Sequence, residues 1–151
     1  MSSQWVIFQL GNEEYGMPIN VVKEITRLED VRPIPQAPYY VKGLINLRGS
    51  AIPLIDLHIR FGSEALSQGS AEESSSQENF ALITEVNGEA VGFAVDQVKE
   101  VRVIEEIEPT PPLVAAPFIG GVVNLPDRII MMLVPEKILD QDELAGITQL
   151  I

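Results

Sequence analysis

Tyr15-Gly16-Met17-Pro18-Ile19-Asn20-Val21-Val22-Lys23-Glu24-Ile25 returns, with Gly16 moved to Gly92, as Val91-Gly92-Phe93-Ala94-Val95-Asp96-Gln97-Val98-Lys99-Glu100-Val101. A second block follows each copy at nearly the same spacing. Gly43-Leu44-Ile45-Asn46-Leu47-Arg48-Gly49-Ser50-Ala51-Ile52 becomes Gly121-Val122-Val123-Asn124-Leu125-Pro126-Asp127-Arg128-Ile129-Ile130. Two blocks in the same order mean two halves drawn from one template, about 4–61 and 80–139. Two units are too few for a solenoid, whose repeats need neighbours on both sides to bury a continuous core. A pair of small subdomains sharing one core is the better reading, and it offers similar surfaces on each half.

The apolar runs are short and punctuated. Trp5–Leu10 is β-branched and aromatic, Gly11–Glu14 is a turn, and Tyr15 starts the return strand, so residues 5–18 read as a hairpin. Gly43–Leu47 and Ala51–Leu57 flank Arg48-Gly49-Ser50 as a second hairpin. Asn87-Gly88 between Phe80–Val86 and Glu89–Val95 is a strong hairpin signal, because a type I′ turn needs positive φ at both central residues. Gly120–Leu125 and Arg128–Val134 make the last, turning at Pro126-Asp127. Residues 20–26 and their copy 96–101 read as short helices, with Val21, Val22 and Ile25 at helical spacing. Pro33, Pro35, Pro38 and Pro53 exclude long helices in the first half, and Pro109, Pro111, Pro112 and Pro117 keep 104–118 extended. Pro135 suits the first position of a terminal helix, and Asp140-x-x-Glu143 has the form of a capping box. The fold class is therefore mainly β, with a few short helices including one at the C-terminus.

Residues 62–79 are rich in Ser, Glu, Gln and Gly. Such a stretch buries too little apolar surface to offset the entropy of ordering. It reads as a flexible loop joining the halves. The whole chain of 151 residues fits a single domain and is long enough to fold without disulfides or metal.

The search for chemistry excludes more than it finds. There is no cysteine and only one histidine, His58, so neither a thiolate nucleophile nor the usual zinc constellations can be assembled. His58 reads as a structural or surface residue. The serines cluster in 62–79 with no strained elbow around them, and no glycine-rich phosphate cradle occurs. Glu13-Glu14, Glu72-Glu73 and Glu105-Glu106 read as solvated carboxylates, and Asp56 as a cap or ligand at a strand end. No catalytic residue, metal or cofactor is expected, and the chain is read as a non-enzyme. A net charge of −12 argues against nucleic acid and anionic lipid as partners. No segment approaches a membrane span and the N-terminus lacks the pattern of a signal peptide, so a cytoplasmic protein is expected.

Two features point to protein partners. The segment Ile19–Ile25 can bury some apolar residues and present Ile19, Val22 or Glu24 outward; core and interface readings both remain open. Arg48 stands at a tight turn where the other copy has Pro126, so the fold does not demand it, and its planar fork suits docking or a salt bridge.

Taken together, Leu10-Gly11-Asn12-Glu13-Glu14-Tyr15-Gly16, Val22-Lys23-Glu24-Ile25, Val41–Gly49 with its Asn46-Leu47-Arg48-Gly49 hairpin, Ile52–Leu57, Val91–Asp96 and Asp127–Ile130 resemble the CheW family of chemotaxis coupling proteins. The resemblance spans nearly all of the chain outside 62–79. It implies two small five-stranded SH3-like β-barrels packed around a shared hydrophobic core, and no enzymatic activity. It implies an adaptor linking the cytoplasmic tips of chemoreceptors to the regulatory domain of the histidine kinase CheA, in membrane-associated arrays, with ring assembly alongside CheA or other CheW-type domains. A similar coupler controlling pili or another non-flagellar output is the alternative. Positions matching partner-contact residues of the family are Ile19, Val22, Glu24, Gly43, Arg48, Phe80 and Val101. The chain departs from the family pattern at Pro135, where an acid is common, and in the length of 62–79.

Overall fold

Two of the turns decide the hairpins they close. Arg48 and Gly49 sit at φ 50° and 88°, and Asn87 and Gly88 at 51° and 83°. Consecutive positive φ values are the type I′ geometry, whose twist matches that of the flanking strands. The structure, a computed structural model, describes residues 3–61, 80–110 and 116–150. The serine-rich segment 62–79, read above as a flexible loop, lies outside them. Within those residues the strands are β1 (Ser3–Leu10), β2 (Glu13–Pro18), β3 (Val22–Arg27), β4 (Val41–Leu47), β5 (Ser50–Asp56), β6 (Phe80–Val86), β7 (Glu89–Val95), β8 (Gln97–Ile104), β9 (Ile119–Asn124) and β10 (Ile129–Leu133). The helices are α1 (Leu57–Arg60), α2 (Pro135–Ile138) and α3 (Gln141–Leu150).

The strands form two five-stranded sheets, in the orders β8-β1-β2-β10-β9 and β3-β6-β7-β5-β4. We call these barrel I and barrel II. Replacing each strand of the first half by its copy in the second converts one order into the other, so the internal repeat is a structural repeat. Each barrel draws strands from both halves, and each contains one parallel pair, β2 with β10 and β5 with β7.

Each sheet is closed by the segment that leaves its third repeat strand. After β3, Arg32 exchanges two backbone hydrogen bonds with Leu44 of β4, at 2.9 and 2.7 Å. After β8, Glu108 does the same with Val122 of β9, at 2.8 and 2.9 Å. The repeated glycines explain themselves here. A Cβ on Gly43 would fall on the Arg32 carbonyl oxygen, and one on Gly121 would meet Ile107 and, at 2.8 Å, the Glu108 carbonyl oxygen. Only a residue without a side chain admits the closing strand so near.

Alternate residues of β1, β5, β6, β7 and β10 serve two cores, which is why these strands read as nearly unbroken apolar runs. In β1, Ile7 faces the interior of barrel I with Ile104, Val123, Ile130 and Met132. Val6 and Phe8 face a larger core between the barrels, with Met17, Leu82 and Phe93. Barrel II has its own interior of Ile45, Ile52, Leu54 and Ile83. The helices cover the shared core. Asp56 caps α1 by accepting from Ile59 N–H at 3.1 Å, Pro135 opens α2, and Asp140 and Glu143 form the reciprocal capping box of α3 at 2.7 and 3.0 Å. Arg60 holds α1 to this end of the molecule. It donates to Ile138 O at 2.7 Å and to Glu143 at 2.8 Å, and lies over the Tyr40 ring.

Both short helices expected after the repeated hairpins are strands. Residues 22–27 are β3 and residues 97–104 are β8. Their exposure alternates with period two, and pairing with β6 and β1 supplies the backbone hydrogen bonds that a helix would have made internally.

Candidate partner-binding surface

The two strands β3 and β8 are mixed on both faces, and that mixture builds the site. On β3, Lys23, Ile25 and Arg27 are exposed while Glu24 is half-buried; on β8, Lys99, Val101 and Val103 are exposed while Glu100 and Arg102 are half-buried. Aliphatic groups face water beside basic ones, and Glu24, Glu100 and Arg102 turn toward the barrel. The face is set by register: Glu24 lies opposite Ile83 of the barrel II interior, and Glu100 opposite Ile7 of the barrel I interior.

Each inward acid meets an arginine from the second hairpin of its own half. Arg48, at the β4–β5 turn, makes a two-pronged ion pair with Glu24, one prong of it at 3.1 Å. Arg128, beside the β9–β10 turn, donates to Glu100 at 2.6 Å and lies 3.5 Å from Glu14. Only the acid is repeated: Arg48 aligns with Pro126 and Arg128 with Ser50, so the two halves reach similar pairs from different positions. Arg128 is enclosed between two carboxylates with 27% of its side chain exposed, whereas Arg48 keeps 70% exposed. The hydrogen bond to Glu100 and the charge of Glu14 raise the Arg128 pKa, so this arginine is fixed as a cation that plugs barrel I. Among the described residues Arg48 pairs with one carboxylate, Glu24, and Ala90 stands where the repeat places Glu14. Its charge is available to a partner.

The apolar half of the surface lies along β1 and β8. Val101 pairs with Val6 and Val103 with Gln4, so both stand on the flank of the shared core, 50% and 54% exposed. Ile19, at the crossing from β2 to β3, is also exposed, and its N–H donates to Gln4 O at 3.1 Å. Ile19, Val101 and Val103 therefore border one strip. Val22 is half-buried at the start of β3 and packs on the shared core. Ile25, placed by the sequence at helical spacing with Val21 and Val22, is exposed, because a strand puts it on the opposite side from Glu24. Phe80 is half-buried on β6 beneath the Arg27 guanidinium, 5.6 Å from its centroid. Gly43 is buried at the barrel II closure. Glu24 and Arg48 are brought together; Ile19 and Val101 share a strip; Phe80 and Gly43 lie apart from both. Sequence reasoning passed over Val103, although its place two residues beyond Val101 in a strand would have marked it.

His58 and Asp96 have structural partners. His58 Nε2 is 2.9 Å from Asp96 Oδ1, and Asp96 also accepts from Gly11 N–H at 2.6 Å. Among the described residues no group of three or more His, Asp or Glu is placed to hold a metal ion, and no helix is long and apolar enough to cross a membrane.

The family model described as CheW-like domain matches residues 4–143. The chain belongs to the CheW-like family. It is 36% identical to the chemotaxis protein CheW of Treponema pallidum, over 97% of this chain and 88% of that one. It is 31% identical to that of Klebsiella aerogenes, over 96% and 86%. Among solved structures it is similar to the scaffolding protein TtCheW of Thermoanaerobacter tengcongensis, with a TM-score of 0.80, 32% identity, and coverage of 95% and 91%. CheW proteins form a scaffold and coupling family, and this chain is a chemotaxis coupling adaptor built on the CheW fold. The chemotaxis names of these relatives do not favour the pilus alternative.

Proposed function

We propose that this adaptor joins the cytoplasmic tips of chemoreceptors to the CheA regulatory domain, working beside the membrane rather than in it. Arg48 with Glu24 on barrel II serves one partner. The strip of Ile19, Val101 and Val103 serves a receptor tip, whose helical hairpin would lay apolar anchors against it. The observation that carries this reading is the exposed aliphatic strip: Ile19, Val101 and Val103 stand in water side by side, an arrangement that a protein without partners does not need.

The mechanism is associative. A body with one core holds two partners at fixed separation, and a receptor state that binds it differently biases the bound kinase. The test is a pair of titrations, one against the host's CheA regulatory domain and one against a receptor-tip fragment. Both are expected to bind. Val101→Asp, at an exposed position of the strip, is expected to weaken the receptor fragment more than the kinase domain. A well-folded protein that binds neither overturns the proposal.

A further inference from the structure

The order of the strands along the chain gives the two barrels unequal standing. All five strands of barrel II, β3 to β7, lie in the single stretch 22–95. Barrel I is split: β1 and β2 lie before that stretch, and β8, β9 and β10 lie after it. Barrel II is thus an insertion between β2 and β8. The crossings are short. Ile19–Val21 joins β2 to β3, and Asp96 alone joins β7 to β8. Both are tied to barrel I, by Ile19 N–H to Gln4 O at 3.1 Å and by Asp96 N–H to Gln9 O at 3.0 Å.

We infer that barrel I is conditional on barrel II: barrel II can persist while barrel I opens, but barrel I cannot persist while barrel II opens. When barrel I opens, barrel II keeps every one of its strands, its Arg32–Leu44 closure and an unbroken chain. When barrel II opens, residues 19–96 become a loose loop tethering the two parts of barrel I. The entropy of closing such a loop, growing with the logarithm of its length, then falls on barrel I together with the loss of its side of the shared core. A partner gripping barrel I would steady both barrels, whereas one gripping barrel II at Arg48 would steady chiefly that barrel. The inference concerns the chain's own topology and holds whichever partners bind.

Native-state hydrogen exchange on the full-length protein tests it, because amides in a region that opens by itself exchange separately from the rest. Two conservative substitutions perturb one barrel interior each: Ile83→Val in barrel II and Ile130→Val in barrel I, both at buried sites. Each removes one methylene and should accelerate exchange through the affected opening about fivefold. The readout is the slowest amides of β5 and β7 against those of β2 and β10. Ile130→Val is expected to accelerate both sets, since its contacts are lost in every opening, and Ile83→Val only the β5 and β7 set, since barrel II stays folded when barrel I opens alone. Equal acceleration of both sets by Ile83→Val would show a symmetric unit and overturn the inference. Acceleration confined to β2 and β10 in Ile130→Val would show independent barrels and overturn it equally.

Discussion

Arg48→Asn separates the docking role of Arg48 from any role in the fold. The residue occupies the first central position of a type I′ turn at φ 50°, while the matching position of the β6–β7 hairpin holds Asn87 at φ 51°. A left-handed backbone costs a residue bearing a β-carbon roughly 1 kcal/mol or more, and asparagine much less. The substitution should therefore recover about 0.5–1 kcal/mol at the turn. It also removes the ion pair with Glu24, whose side chains are 70% and 29% exposed. A pair so open to water contributes about 0.5 kcal/mol or less. The hydrogen bond from Gly49 N–H to Asn46 Oδ1, at 3.0 Å, is untouched. The two effects nearly cancel, leaving the variant between unchanged and about 1 kcal/mol more stable, or a rise in Tm of no more than about 4 °C. Binding should behave differently, because no other cation replaces the fork of Arg48 at that corner. The assays are thermal unfolding by circular dichroism and titration with the CheA regulatory domain, with a loss of tenfold or more in affinity expected. A loss of more than about 2 kcal/mol in stability would refute the reasoning, since that scale belongs to buried, tightly held charge pairs. Unchanged binding would refute the docking role itself.

Gly43→Ala should destabilise by about 2 kcal/mol or more, because its methyl group meets the Arg32 carbonyl at the barrel II closure; the urea midpoint measures it. Val101→Asp sits on an exposed strand position and should change stability by less than about 0.5 kcal/mol while abolishing binding of a receptor-tip fragment in the same titration. Asp140→Ala removes the acceptor that holds Glu143 N–H at 2.7 Å; loss of this helix cap should cost about 1 kcal/mol, read as a fall in Tm of a few degrees.

The hairpins, the glycine and asparagine turns, the capping box and the helix started by Pro135 were legible because each is a local signal. The repeat added the fold class. Two things were not local. The exchange of strands between halves leaves no trace in either half, since every strand would look the same whichever sheet it joined. The strands β3 and β8 were hidden for a different reason. Val22, Ile25 and the charged residues between them follow an amphipathic rule that assumes apolar side chains go inside, and here Ile25, Val101 and Val103 do not. An exposed aliphatic face defeats the pattern that would otherwise have revealed the strand. Arg48 was legible as a charge not demanded by the repeat, and Glu24 as a candidate; their meeting across the mouth of barrel II required the register.

The correspondence of β1–β5 with β6–β10 also bears on descent. A half-length ancestor carrying one copy of the template could not close a barrel, because the strands its first hairpin pairs with would lie in another molecule. It would have lived as a homodimer that traded hairpins, with two identical faces. Two copies in one chain are released from that identity. One barrel holds Arg128 against Glu14 as well as Glu100, and the other leaves Arg48 open. Two barrels of one strand pattern thus give the molecule a front and a back.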